Sequence, residues 1–204
     1  MSEATRGQIV IDAAKLPSYG YSHRSLMWWG TAGIIAIEAT VFALAAFTYF
    51  YIYTRLDVWP PSVLPPDLGW GTANLIVLLL SLVPNHWTKK LAGEQDLRKV
   101  RLGLLVCLAF SIVFLIMRGL ELTALNVRWD TNAYGSAVWM IFGLHTVHLL
   151  TDVYDSVVLT VLMHTGPLEG KRFVDVSENA VYWYFVVIAW VPLYAIVYWA
   201  PRLL

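Results

Sequence analysis

The sequence predicts an all-α membrane protein, a polytopic bundle of five transmembrane helices. Of its 204 residues, 58% are hydrophobic and 14% are charged, and the mean hydropathy is +0.61. Five long apolar runs follow one another, and most charged residues lie between them. No polar segment is long enough to build a soluble core, and the net charge of zero gives no electrostatic argument for nucleic-acid binding.

Each run is long enough to cross a hydrocarbon core of about 30 Å at about 1.5 Å rise per residue. The first contains a single charged residue, and the second is interrupted near its end by Pro84-Asn85-His86. The third ends in an Arg–Glu pair, the fourth carries four ionisable residues, and the fifth ends in aromatic residues. The five predicted helices cover residues 26–54, 70–91, 100–123, 134–163 and 179–201.

We therefore divide the chain into an N-terminal tail, residues 1–25, and a five-helix membrane domain, residues 26–204. The first connection, residues 55–69, contains two Pro-Pro pairs and is predicted to be a stiff, exposed loop. The N-terminus lacks the cationic stretch, apolar core and small-residue site of a cleaved signal peptide.

Positive charge predicts the orientation of the helices. Of the fourteen Lys and Arg residues, ten lie in the tail and near the second and fourth connections: Arg6, Lys15, Arg24, Lys89, Lys90, Arg98, Lys99, Arg101, Lys171 and Arg172. The others fall on the opposite side: Arg55, Arg118, Arg128 and Arg202. Because Lys and Arg are enriched in cytoplasmic loops, we expect a cytoplasmic N-terminus and an external C-terminus.

The polar residue that most needs an explanation is Glu38, which lies near the middle of the first run. A charged side chain at the bilayer centre costs roughly 2.5–3.5 kcal/mol on insertion scales. We therefore expect Glu38 to be protonated, paired with another polar group, or hydrated by a cavity.

The fourth helix carries His145, His148, Asp152 and Asp155 at spacings of three, four and three residues. These spacings place all four on one helical stripe, which should face the bundle interior, a neighbouring subunit or water. Such a stripe serves as a structural hydrogen-bond seam, as a path for protons or water, or as part of a metal site.

The metal alternative is the weakest of the three. Di-iron bundles use paired Glu-x-x-His motifs, which this sequence lacks, and copper sites require thiolate or more histidines. The single cysteine, Cys107, lies in an apolar run and is expected to pack as a small hydrophobic residue. Arg118 and Glu121 are spaced three residues apart, which permits a local ion pair. The residues alone leave three classes open: an accessory subunit of a redox complex, an ion transporter, and a membrane metalloenzyme.

A family resemblance narrows these alternatives. Tyr134-Gly135-Ser136, followed by Gly143-Leu144-His145-Thr146-Val147-His148, resembles the YGS…GFHGLH segment of subunit III of haem–copper cytochrome c oxidases. Further similar features follow the family's order along the chain: the buried glutamate Glu38, the proline-rich loop Trp59-Pro60-Pro61, the helix end Gly119-Leu120-Glu121, and the last helix from Glu178 to Trp199. The resemblance covers nearly the whole chain from about residue 25.

Two departures from the family pattern are present. The last helix has Tyr184 and Val187 where the family usually has a histidine and an aspartate. Conversely, Asp152 and Asp155 occupy positions that are normally apolar or small. This suggests that part of the polar system has moved from the fifth helix to the fourth, as in a divergent branch of the family.

The resemblance implies a short, five-helix bacterial form in the cytoplasmic (inner) membrane, without a catalytic or redox centre of its own. The implied partners are oxidase subunit I, which holds the haems and copper, and subunit II in the same complex. The implied roles are support of proton uptake and of the catalytic subunit's stability, with phospholipid bound in the bundle. The family-matched polar positions are Glu38, Glu121, His145 and His148, and helical geometry adds Asp152 and Asp155. Related alternatives are a subunit III-like protein of a quinol oxidase or nitric oxide reductase, and an independent proton-coupled transporter.

Overall fold

The structure, a computed structural model, describes residues 17–21, 23, 25–61, 63–166 and 169–204. It confirms an all-α fold with five helices that are long and apolar enough to cross a membrane. These helices are α1 Leu26–Tyr53, α2 Leu68–Gly93, α3 Leu97–Thr123, α4 Ala133–Thr165 and α5 Gly170–Tyr194. A π-helical turn, Ala195–Trp199, joins α5 to the short α6, Ala200–Leu203. Most of the predicted tail, residues 1–16, lies outside the described residues.

Four helices are longer than the sequence predicted, and α5 differs most. α2, predicted over residues 70–91, covers Leu68–Gly93 and stays helical through Pro84, since packing against α3 and α5 holds the helix where the proline removes one backbone donor. α5 begins at Gly170 instead of 179, because its polar first turns bury one face. Phe173, Val174 and Ser177 lie on that face at helical spacing.

The start of α3 is fixed by Asp96, whose carboxylate accepts a hydrogen bond from the backbone N–H of Lys99. The Lys99 ammonium lies 2.8 Å from the same carboxylate. The bond to the Lys99 side chain, and to a lesser degree the bond from its backbone N–H, lower the pKa of Asp96 below its usual range. A capped, charge-paired turn therefore ends the tight connection between α2 and α3.

Four helices form the centre of the bundle, and α1 packs on its outside. α2 contacts α3 and α5, and α4 contacts α3 and α5, whereas α1 contacts mainly α4 and α5. The buried residues of α1 are Phe42, Ala45 and Tyr49, all in its C-terminal half. The N-terminal half of α1 consequently stands away from the bundle.

The connection after α1 is less exposed than predicted. Pro60 and Pro66 are buried, and Trp59 packs edge-on against Tyr134 at a centroid distance of 4.8 Å. Tyr49 meets the same indole at 5.0 Å. Residues 55–58 are exposed, as predicted, whereas these aromatic contacts with α1 and α4 fold Trp59 and Pro60 onto the bundle.

A buried charge network and a carboxylate groove

The six expected polar residues occur in three separate places. Glu121 and His145 belong to a network inside the bundle, whereas Glu38, His148 and Asp155 lie at or beside a groove between α1, α4 and α5. Asp152 lines a small cavity among the other helices. The four residues of the α4 stripe thus share one side of the helix, but they contact different parts of the structure: the network, the groove and the small cavity.

The centre of the buried network is the Arg118–Glu121 ion pair. Arg118 Nη1 lies 2.9 Å from Glu121 Oε2, and each side chain is only 1% exposed. The spacing of three residues on α3 brings the two groups together, as the sequence predicted. Removing both charges from water costs free energy, and further partners of each group offset that cost.

Two neighbouring helices complete the coordination of the Glu121 carboxylate. Asn74 Nδ2 on α2 donates to Oε2 at 2.8 Å, and the Tyr198 hydroxyl donates to Oε1 at 2.6 Å. Tyr198 lies in the π-helical turn that follows α5. One carboxylate thus ties α3 to α2 and to the end of the last span.

His145 is held in one neutral tautomer by its partners. Arg118 Nη2 lies 3.2 Å from His145 Nδ1, and a guanidinium can only donate, so Nδ1 accepts. His145 Nε2 lies 3.1 Å from the Val186 carbonyl oxygen, which can only accept, so Nε2 carries the proton. The imidazole also stacks on Trp190 at 4.4 Å. Both nitrogens are occupied, so His145 links Arg118 to the backbone of α5 and offers no free nitrogen to a metal.

The Trp190 ring packs against the Arg118 guanidinium. The Arg118 Cζ atom lies 4.0 Å from the Trp190 ring centroid and 5.1 Å from that of Phe142. These residues form what we call the charge network: Arg118, Glu121, His145, Asn74, Tyr198 and Trp190. It joins α2, α3, α4 and the last span with paired charges and a dry aromatic cover. These contacts tie the four helices together inside the bundle.

The second polar region is a groove beside the N-terminal half of α1. Because that half stands away from α4 and α5, it leaves a volume of about 500 Å³ between the three helices. Four carboxyl side chains line it: Glu38, Asp155, Asp175 and Glu178. We call this region the carboxylate groove. Met27, Ile34 and Val158 supply part of its apolar wall.

Glu38 faces His148 at the inner end of the groove. His148 Nδ1 lies 2.6 Å from the Leu144 carbonyl oxygen, so Nδ1 carries a proton. His148 Nε2 lies 3.6 Å from Glu38 Oε1, within ion-pair range but longer than a hydrogen bond. Glu38 thus has a polar neighbour at the inner end of the groove, which agrees with one of the three states expected for it.

The other three carboxyl groups extend from this pair toward the side where α1 begins. Asp155 is exposed to the groove, and Asp175 meets Arg172 Nη1 at 3.6 Å. Glu178 is buried against the wall, with Oε2 lacking a hydrogen-bond partner among the described residues. The groove therefore combines the Glu38–His148 contact at its inner end with acidic groups along its length.

Sequence reasoning missed several members of both regions. No sequence pattern indicated that Asn74, Tyr198 and Trp190 belong to the charge network. Asparagine and aromatic residues are common in membrane helices, and these three come together only through helix packing. Asp175 was placed in the connection, since the fifth helix was predicted to start at 179, and Glu178 was noted only as the first residue of the family's last helix. Their spacing of three residues beside Asn179 and Tyr182 could have indicated a polar helix face.

No group of three or more His, Cys, Asp or Glu side chains arranged to hold a metal ion occurs within the described ranges. Cys107 is half-buried, and its sulfur lies 3.7 Å from Thr88 Oγ1. The observed fold and site define a polytopic α-helical membrane protein with an internal structural charge network and a polar groove.

Comparison with known proteins identifies the family. The family model for cytochrome c oxidase subunit III matches residues 24–201. The chain therefore belongs to the cytochrome c oxidase subunit III family, the accessory subunits of haem–copper oxidases. This agrees with the resemblance found in the sequence motifs.

Three relatives illustrate the range of the family. Cytochrome c oxidase subunit 3 of Pylaiella littoralis is 28% identical over 144 residues, which cover 70% of this chain and 53% of that protein. The Thermostichus vulcanus protein of the same name is 21% identical, and the aligned part covers 90% of this chain and 92% of the relative. A haem–copper oxidase subunit I+III of Aeropyrum pernix is 29% identical over 85% of this chain and 22% of the relative. The chain thus spans about half the length of some relatives and nearly all of others.

Proposed function

We propose that this chain assembles as subunit III with subunits I and II of a haem–copper terminal oxidase in a bacterial cytoplasmic membrane. The observation that carries the proposal is the family match across residues 24–201. A relative whose name combines subunits I and III in one polypeptide supports subunit I as the direct partner. The haems and copper lie in the partner subunits, and this chain carries no catalytic residue.

Purification through an affinity tag on this chain tests the proposed assembly. A larger subunit, haem absorbance and copper should co-purify in mild detergent, and the complex should consume oxygen. A tagged, unrelated membrane protein from the same cells is the control. Purification of the chain without haem or partner subunits, or with metal bound to the chain alone, would contradict the assignment.

We further propose that the carboxylate groove supports proton uptake by the complex. Glu38 and His148 lie 3.6 Å apart at the inner end of the groove, and further acidic groups follow toward the N-terminal side of the bundle. The distribution of Lys and Arg assigns that side to the cytoplasm, from which protons are taken up. Reporter fusions at the two termini test this orientation, and a reporter active outside at the N-terminus would reverse it.

Bound phospholipid is the remaining proposed ligand. The groove joins an apolar wall to a lipid-facing surface on α1, where Ile34, Ile37 and Leu44 are exposed. Acyl chains fit such a surface, and the groove's acidic rim favours a headgroup that carries an ammonium. Native mass spectrometry of the complex should show retained lipid, and complete delipidation without loss of assembly would oppose a structural role for it.

A further inference from the structure

Asp152 faces a small cavity among the four central helices, separate from the charge network. The cavity is bounded by α2, α3, α4 and α5 and offers about 20 Å³ to the centres of water-sized molecules. One water requires roughly 10–15 Å³ by the same measure. The space is therefore sufficient for one water molecule and too small for an organic ligand.

One oxygen of the Asp152 carboxyl group has no hydrogen-bond partner in the described part of the chain. Its side chain is 2% exposed, and Oδ1 has no hydrogen-bond partner among the described residues. Leaving a buried polar atom unpaired costs about 1–3 kcal/mol, more for a charged group. A donor in the cavity would remove that cost.

Two hydroxyl groups on the cavity wall present acceptors. Thr88 Oγ1 donates to the Pro84 carbonyl, and Ser111 Oγ donates to the Cys107 carbonyl. The hydroxyl protons are thus committed within each helix, and the oxygen lone pairs remain. Together with Asp152 Oδ1, these acceptors are matched by a ligand with two donors, which water provides.

A polar wall separates this cavity from the carboxylate groove. Asn179 lines both spaces. Ser156 Oγ, on the cavity wall, donates to Asn179 Oδ1 at 3.3 Å. Asn179, held by this bond, is thus the side chain that the two spaces share.

We propose that the Asp152 cavity is an internal hydration site that exchanges water with the carboxylate groove past Asn179. The bound water donates one hydrogen bond to Asp152 Oδ1 and the other to a hydroxyl oxygen on the wall. Asp152 is thereby in contact with groove water although it is buried in the bundle. This inference concerns the chain's own cavity and holds whether or not the groove supplies protons to an oxidase.

High-resolution density for the purified complex tests the site. A water peak within hydrogen-bond distance of Asp152 Oδ1 is expected in the wild type and in Asp155→Leu, which alters the groove. Asp152→Leu should remove the peak, and the isosteric Asp152→Asn should keep it if the leucine variant fails to assemble. An absent wild-type peak, in a map that resolves other buried waters, would overturn the proposal. A peak that appears in sodium but not in potassium buffer would also overturn it, since the ligand would then be a cation.

The route is tested with Cys107, the single thiol of the chain, which also lines the cavity. Infrared difference spectra against Cys107→Ser isolate its S–H stretch in the complex. Transfer to D₂O should convert this band to S–D, and Asn179→Leu should slow the conversion several-fold. The matched variant Ile34→Leu, on the groove wall away from the cavity, should leave the rate unchanged. Conversion at the same rate in Asn179→Leu would show that water does not enter past Asn179.

Discussion

At the residue scale, the charge network shows how a membrane protein keeps an arginine and a glutamate inside its bundle. Arg118 meets Glu121, His145 and the Trp190 ring, and Glu121 also accepts from Asn74 and Tyr198. Each charge is offset by several short contacts in place of water. Removal of one charge would leave the other uncompensated.

Glu121→Gln should destabilise the fold strongly, because Gln keeps the shape but leaves the Arg118 charge unpaired. We expect a loss of about 3–5 kcal/mol, as for other broken buried ion pairs. Denaturant unfolding of the purified complex, followed by hydrogen exchange in α3, measures the loss. The exposed pair Arg128–Asp130 provides the control, since Asp130→Asn should cost less than about 1 kcal/mol. Equal effects of the two substitutions would contradict the network's role.

Contacts within one helix could be predicted from the sequence, whereas contacts between helices could not. The Arg118–Glu121 pair was predicted because it depends on helical spacing alone. For His145, the sequence left three roles open: a structural hydrogen-bond seam, a proton path and a metal ligand. Its tautomer depends on contacts with Arg118 and with a backbone carbonyl of α5, which the sequence does not reveal. Those partners are 27 and 41 residues away in sequence, and no local pattern connects them.

At the element scale, small residues decide how closely the helices approach. A Cβ atom on Gly71 would lie 2.6 Å from the Tyr198 hydroxyl oxygen and would overlap its ring. Gly103 is in a similar position against Thr88, which brings α2 and α3 together. Close backbone approach at small residues is the usual device for packing helices in lipid.

Gly71→Ala should therefore displace Tyr198 and weaken its hydrogen bond to Glu121. We expect a loss of about 1–3 kcal/mol, which is typical of overpacking. Gly119→Ala is the matched control, because no atom lies within 4 Å of a Cβ there, and helix propensity favours alanine by about 1 kcal/mol. Thermal unfolding of the purified complexes compares the two variants. A stabilised Gly71→Ala protein would show that Tyr198 moves without cost.

At the scale of the whole molecule, the position of α1 creates the groove. Its C-terminal half is anchored by Phe42, Ala45 and Tyr49, and its N-terminal half diverges from α4 and α5. Glu38 and its neighbour His148 lie near the point where the two halves meet. The groove is thus a consequence of tertiary arrangement, and its function depends on the complex in which the chain sits.

Combined neutralisation of the groove by Glu38→Gln, Asp155→Asn and Glu178→Gln tests its role in the assembled oxidase. We expect proton uptake during turnover to slow by about tenfold, the low end of the effect of a charged cleft on encounter rates. Stopped-flow measurements with a pH indicator report the rate. Asp57→Asn, an exposed carboxylate after α1, is the control and should have no effect. If the rate of proton uptake is unchanged in the triple variant and the complex is intact, the groove has a structural or lipid-binding role instead.

The sequence by itself determined the five spans and the local Arg118–Glu121 pair, because these follow from hydrophobic length and helical spacing. Its motifs also identified the family. Only the tertiary structure decided that the α4 stripe divides into a network, a groove and a cavity. Neighbouring positions on one helix face meet different helices at different depths, and those neighbours are set by packing between segments far apart in the chain.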